Sequence, residues 1–165
     1  MSQVVIVTST FYKSVEELRF VLAVEMVKSA IASGYRVVVV DASPIPDVAV
    51  TLKGLGALVF PQLHKGMGPG RRQGFFHAFE VASAQGVPFI MWMEPEKIDL
   101  IRFVDDIVAP LEADEADIVI PQRSEIAWST WPAFQVESEK LANSSRLYWF
   151  MTRPKHCKEM NFSSW

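Results

Sequence analysis

Two clusters of charged residues stand out against the rest of this chain. Lys65-Gly66-Met67-Gly68-Pro69-Gly70-Arg71-Arg72 joins cations to glycines and a proline. Glycines let a backbone approach a ligand closely, and the start of a helix offers unbonded N–H groups to an anion. Lys65, Arg71 and Arg72 add positive charge. That combination suits phosphate. Glu94-Pro95-Glu96 follows the apolar run Phe89–Met93. Residues two apart in an extended segment face the same way, and Pro95 restricts the backbone between them. Two carboxylates on one side suit Mg²⁺ or Mn²⁺, with phosphate oxygens completing the shell. The plainer alternatives are a solvated surface turn and a strand end at which Lys97 pairs with a glutamate.

Lesser candidates surround these. Thr8-Ser9-Thr10 and Asp41-Ala42-Ser43 each close an apolar run. Asp41 could bond a base or a ribose, or it could start an Asx turn. His64 and His77 read as surface or core-edge residues, and His156 beside Cys157 lacks the partners of a zinc site. The basic turn is not a Walker loop, because no Gly-Lys-Ser/Thr follows at the required spacing. The dinucleotide fingerprint is also missing, since the first strand–turn–helix carries no glycines.

The elements that would position these residues alternate. Val4–Val7 is a buried strand followed by a polar turn, Thr8–Thr10. Ser14-Val15-Glu16-Glu17 has the form of a capping box. Val15, Leu18, Val21, Leu22, Met26 and Ala30 recur at helical spacing up to Gly34. Val37–Val40 is a second apolar run, which makes a βαβ unit with parallel strands. A short helix is expected near Asp47–Leu55, and a third strand at Ala57–Phe60. A helix that Pro69 opens runs to about Gln85, and Phe89–Met93 is a fourth strand. Leu100, Ile101, Val104, Ile107, Val108 and Leu111 mark another helix, and Asp117–Ile120 a fifth strand. Every polar cluster falls at the carboxyl end of a strand, the edge at which open α/β sheets bind ligands. The fold class is α/β, with a mostly parallel, doubly wound sheet and helices on both faces. Beyond Arg123 the pattern degrades. Residues 141–151 read as helix, and Arg153–Trp165 has no clear period.

The chain has 165 residues, half of them hydrophobic, so one domain or a large part of one is expected. Its net charge of −3 and the lack of a long basic run argue against nucleic acid. The lone cysteine allows no internal disulfide. The first residues have no basic segment, and no apolar run approaches the ~18 residues of a spanning helix. A cytoplasmic protein with no signal peptide and no transmembrane segment is expected. Asn143-Ser144-Ser145 and Asn161-Phe162-Ser163 are read as chance glycosylation triplets.

Together the clusters resemble the nucleotide-sugar-binding half of a GT-A fold glycosyltransferase of the inverting family-two kind. The resemblance covers Val4 to Arg123. Its first strand ends in a polar turn, here Val7-Thr8-Ser9-Thr10, and its second in an acid followed by serine, here Asp41-Ala42-Ser43. The family turn Asn-Lys-Gly-x-x-x-Ala-Arg-Asn-x-Gly looks like His64-Lys65-Gly66-Met67-Gly68-Pro69-Gly70-Arg71-Arg72-Gln73-Gly74. Glu94-Pro95-Glu96 stands where the family carries a metal-binding Asp-x-Asp. Ala116-Asp117-Ile118-Val119-Ile120-Pro121-Gln122-Arg123 looks like Ala-Asp-Val-Val-x-Gly-x-Arg.

The resemblance implies a nucleotide site of Thr8, Thr10, Asp41, Lys65, Arg71 and Arg72. Glu94 and Glu96 would hold Mg²⁺ or Mn²⁺ against a nucleotide-diphosphate sugar, whose sugar passes to an unknown acceptor. It divides the chain into a nucleotide-sugar-binding domain, residues 1–123, and a short remnant of an acceptor half, residues 124–165, packed on it. Glu replaces Asp at both metal positions. Glu125, Glu137 and Glu139 sit in no recognisable motif, so no general base is assigned. A divergent, C-terminally truncated member is expected. The competing expectations are a non-catalytic nucleotide-binding or interaction module of the same fold, and another α/β enzyme such as a nucleotidyltransferase.

Overall fold

The β-branched runs become the centre of a sheet. A computed structural model of the chain describes residues 3–121 and 128–141. Four parallel strands are β1 (Val4–Thr10), β2 (Arg36–Asp41), β3 (Leu58–Pro61) and β4 (Phe89–Trp92), in the spatial order β3-β2-β1-β4. Between them lie the helices α1 (Leu18–Ala32), α2 (Pro46–Gly54) and α3 (Met67–Gln85). Val4–Val7 and Val37–Val40 are buried without alternation, as a parallel sheet covered on both faces requires. The first two crossovers step from β1 to β2 to β3. The third returns past both to place β4 on the other side of β1. Strand order therefore reverses beside β1, the position at which such sheets bind ligands.

Helix α3 packs unusually close to the sheet. Its buried residues are Gly70, Gly74, Ala78 and Ala82, spaced by four and so on one face. Ala78 and Ala82 pack with Val5, Val7 and Val38, and Trp92 lies against the same cluster. A Cβ placed on Gly74 would stand 3.0 Å from Val7 Cγ2 and 3.6 Å from Val40 Cγ2. Glycine here buys proximity between helix and strands. Gly86 ends the helix in the left-handed conformation, φ 66°, which a glycine adopts without a Cβ clash.

Several local expectations change. Thr8-Ser9-Thr10 is strand and not turn, because β2 pairs with it to the end: Thr8 with Val39, Ser9 with Val40, Thr10 with Asp41. The Glu17 carboxylate accepts from the amides of Lys13 and Ser14, and Ser14 Oγ accepts from the Glu16 amide. These bonds close a turn ahead of α1, which begins only at Leu18. Helix α3 starts at Met67 after Gly66, whose φ is 108°. Pro69 is therefore third in the helix, still within the turn in which its missing N–H costs nothing. Residues 117–120 carry no strand assignment. A short apolar run does not distinguish strand from loop by itself, and Ile118 is exposed.

The chain divides into two compact units, Met1–Phe103 and Val104–Trp165. The division lies ahead of the boundary drawn after Arg123 from the sequence. It cuts the region read as one helix into a 3-10 helix, Ile98–Phe103, and α4, Val104–Glu112. The second unit also contains a helix over residues 133–141, α5. There Trp128 meets Trp131 edge to face at 6.4 Å, and Lys140 lies over the Trp128 ring. Gln122, Arg123, Glu125, the triplets at Asn143 and Asn161, His156, Cys157, and residues 142–151 of the expected last helix fall outside the described residues. No helix among the described residues is long and apolar enough to cross a membrane.

Candidate functional site

Tyr12, two residues beyond β1, ties the ends of three strands together. Its backbone N–H donates to Ser43 Oγ at 2.9 Å, beyond β2. Its hydroxyl donates to Glu96 Oε1 at 3.1 Å, beyond β4. The ring is buried and packs against Phe20 of α1 at 5.5 Å. Burial, and then the Glu96 carboxylate, raise the Tyr12 hydroxyl far above its usual pKa, so this hydroxyl is a donor at ordinary pH and not a base.

Asp41 is the second anchor of this edge. Its Oδ1 accepts from Thr10 Oγ1 at 2.7 Å, from Ser43 N at 3.1 Å and from Ser43 Oγ at 2.6 Å. The bond to the amide two residues on is an Asx turn. A relay results, in which Tyr12 N–H donates to Ser43 Oγ and the Ser43 hydroxyl donates to Asp41. Thr8 lies two residues before Thr10 on the same strand face. It is fully buried, and its Oγ1 has no hydrogen-bond partner among the described residues.

The basic turn reaches the same edge from the other face of the sheet. The Gln62 side-chain amide donates to the Gly66 and His64 carbonyls, and Gln73 bonds Pro61 O and Leu63 N. These bonds fix the path from β3 into α3. No side chain among the described residues caps the helix start. Lys65, Arg71 and Arg72 are exposed. The Arg71 guanidinium lies over the Trp92 ring, 5.1 Å from its centroid, which carries that charge across to the end of β4. Arg72 stays near its own turn, where a Cβ on Gly68 would meet its Nη1 at 3.5 Å.

Glu94 and Glu96 are arranged differently from an extended pair. The Lys97 amide donates to Glu94 O at 3.1 Å, so Glu94-Pro95-Glu96-Lys97 is a β-turn with proline at its second position. Glu94 faces Lys97 at 3.7 Å. Glu96 Oε1 accepts from Arg19 Nε at 2.8 Å and lies 2.7 Å from Arg19 Nη2. A hard divalent ion takes about six oxygen ligands from groups without competing donors. No group of three or more His, Cys, Asp or Glu able to hold a metal occurs among the described residues. In this arrangement the two glutamates do not fit Mg²⁺ or Mn²⁺.

Of the residues singled out in the sequence, the fold joins Thr10 to Asp41 and brings Arg71 to β4, while Glu94 and Glu96 engage separate cations. Sequence reasoning missed Tyr12 and Arg19. Tyr12 had one available signal, its place just beyond a buried strand; Arg19 had none, because its partner lies far along the chain. His77 stacks on Phe60 at 3.9 Å and pairs with Glu80, a core-edge role.

No protein-family model matches the chain, and no curated protein matches it. Among solved structures, one match is the glycotransferase of kitacinnamycin, with a TM-score of 0.30 and 18% identity over 68% of this chain. The chain spans 36% of the length of that protein. A likeness of this size does not by itself establish fold or activity.

Proposed function

We propose that the carboxyl edge of the sheet binds a nucleoside diphosphate, and that the protein is glycosyltransferase-like, passing a sugar from a nucleotide donor to an acceptor. This reading takes the sheet as doubly wound, of the GT-A kind. The observation that carries it is Arg71 over Trp92: a cation from the basic turn stands beside the point at which strand order reverses. Support also comes from the order of the motifs, from strand to acid to basic turn to Glu-Pro-Glu.

In this reading the diphosphate lies against the start of α3. Lys65, Arg71 and Arg72 oppose its charge, and the amides of the first helical turn donate to its oxygens. Asp41 lies on the nucleoside side. In the transfer the bond from the anomeric carbon to the diphosphate oxygen breaks, and its electron pair leaves with the nucleotide. An acceptor oxygen bonds the same carbon and gives its proton to a base that has no assigned residue here. Positive charge near the departing diphosphate lowers the barrier because charge develops there. With Glu94 and Glu96 engaged by Lys97 and Arg19, no step is drawn through a metal.

A second reading has its own support. Glu96 stands where the resembled family holds its metal, yet it accepts from Tyr12 and Arg19. That favours a binding module which keeps the nucleotide edge without transfer. Calorimetric titration with UDP and GDP, with and without Mn²⁺, tests both. Binding to one of them, at least about tenfold weaker in Arg71→Ala, is expected from the loss of one charged contact. Folded protein that binds neither nucleotide would end the donor-site reading. Slow hydrolysis of a matching nucleotide sugar would favour the enzyme over the module.

A further inference from the structure

Helix α3 is built inside out. Its packed face is Gly70, Gly74, Ala78 and Ala82, while its bulky residues point to solvent. Phe75, Phe76 and Phe79 are 43%, 59% and 64% exposed, and Met67 and Leu63 extend the apolar surface toward the helix start. On a helix, positions 75, 76 and 79 are neighbours, and Arg71 and Arg72 stand one turn before Phe75 and Phe76. From residue 61 to residue 79 the chain has Lys65, Arg71 and Arg72 and no acid at all, although its net charge is −3. The cations therefore gather at the start of the helix, and the exposed acid Glu80 stands one turn beyond Phe76.

We infer that the outer face of α3 docks on an anionic lipid surface. Aromatic rings settle at the boundary between headgroups and acyl chains, and flanking Lys and Arg side chains meet lipid phosphates and carboxylates. A helix surface is convex, which suits a planar bilayer better than it suits a partner's protruding side chain. A second copy is an outcome of the test: an antiparallel twofold contact centred on Phe76 would set Arg72 against Glu80, and self-association without vesicle binding would overturn the lipid inference. The inference goes beyond the nucleotide reading: it shares Lys65, Arg71 and Arg72 with that reading and adds the phenylalanines, which the nucleotide site does not use.

The test is co-sedimentation of the purified chain with phosphatidylcholine vesicles, with and without phosphatidylserine, for the native protein and a Phe76→Ser/Phe79→Ser variant. Both positions are exposed, and circular dichroism verifies folding. Binding to the anionic vesicles is expected to exceed binding to neutral ones by about a hundredfold at low salt, from three cations near the surface. The double variant should lose at least about tenfold and keep its nucleotide affinity. No sedimentation with anionic vesicles overturns the inference, as does equal binding by the variant or equal binding to both vesicle types. Vesicle binding without any nucleotide binding would leave this inference standing and remove the donor-site reading.

Discussion

Arg19, in the first turn of α1, holds Glu96 beyond the end of β4 at 2.7 Å. The pair ties the start of α1 to the turn after β4, and it occupies the acid on which metal binding would depend. The Arg19 side chain is largely exposed, so solvent screens the pair. Arg19→Ala should cost about 0.5–1 kcal/mol in a urea titration. The same variant tests the metal question. If Glu96 is a latent ligand, Mn²⁺ affinity rises once Arg19 is gone; unchanged affinity makes the latch its whole role.

Tyr12 gives a pH dependence with a definite sign. The unfolded phenol ionises at about pH 10, whereas burial and Glu96 keep the folded one protonated well above that. Its contribution is complete below about pH 10. It is lost above that point as the unfolded chain releases its proton first, at up to about 1.4 kcal/mol per pH unit. Urea midpoints of native protein and Tyr12→Phe between about pH 8 and pH 11 should converge on the alkaline side. A constant gap across that range would contradict the hydroxyl's assigned state.

Thr8 carries a buried hydroxyl without a partner among the described residues. Thr8→Val keeps the shape and removes the unmet polar atom, so it should stabilise the protein by about 1 kcal/mol. Nucleotide affinity measured on the same variant separates two roles. An unchanged value makes Thr8 a strand residue only, and a fall of about tenfold or more places its hydroxyl in the site.

At Gly70 an added Cβ would lie 2.7 Å from Gln62 Oε1. Gln62 also holds the turn through the His64 and Gly66 carbonyls. Gly70→Ala should therefore gain about 1 kcal/mol of helix propensity but free the turn by displacing Gln62. The expected result is a melting temperature close to native together with weaker nucleotide binding and faster hydrogen exchange at residues 62–66.

Asp41→Ala removes the acceptor of three hydrogen bonds at the mouth of β2. The donors of Thr10 and Ser43 lose their partner, and a cost of about 1–3 kcal/mol follows, read from a denaturant midpoint. Asp41→Asn can still present an oxygen to them and should cost less. Equal costs would show that the charge, and not the bonds, is what the fold uses.

The sheet was legible because continuous β-branched runs admit few alternatives, and β1, β2 and β4 appear where Val4–Val7, Val37–Val40 and Phe89–Met93 led. The ends were less legible. Thr8–Thr10 looked like a turn because polarity was read before pairing, but β2 offered a ladder partner to each residue. Asp41 carried both of its readings, and the Asx turn is present. Glu94-Pro95-Glu96 reads as extended, yet proline at the second position of a four-residue turn is just as compatible with the sequence. Contacts such as Tyr12 and Arg19 with Glu96 join distant segments, and no local pattern encodes them. Helix α3 was found from its boundaries and not from its apolar face, since its buried side is glycine and alanine.

The pairing of β1 also bears on how the chain is made. Val5 pairs with Arg36 on one side, while Val4 pairs with Phe89 on the other. A ribosome adds about 5–20 residues each second. For several seconds, then, the nascent chain holds β1 with one row of amides and carbonyls unmatched. During that interval α3 has no completed sheet to close against, and its phenylalanines are already out. Chaperone capture of the nascent chain should peak in the window before β4 emerges, and the late, long-range closure of β1 on β4 should set the folding rate.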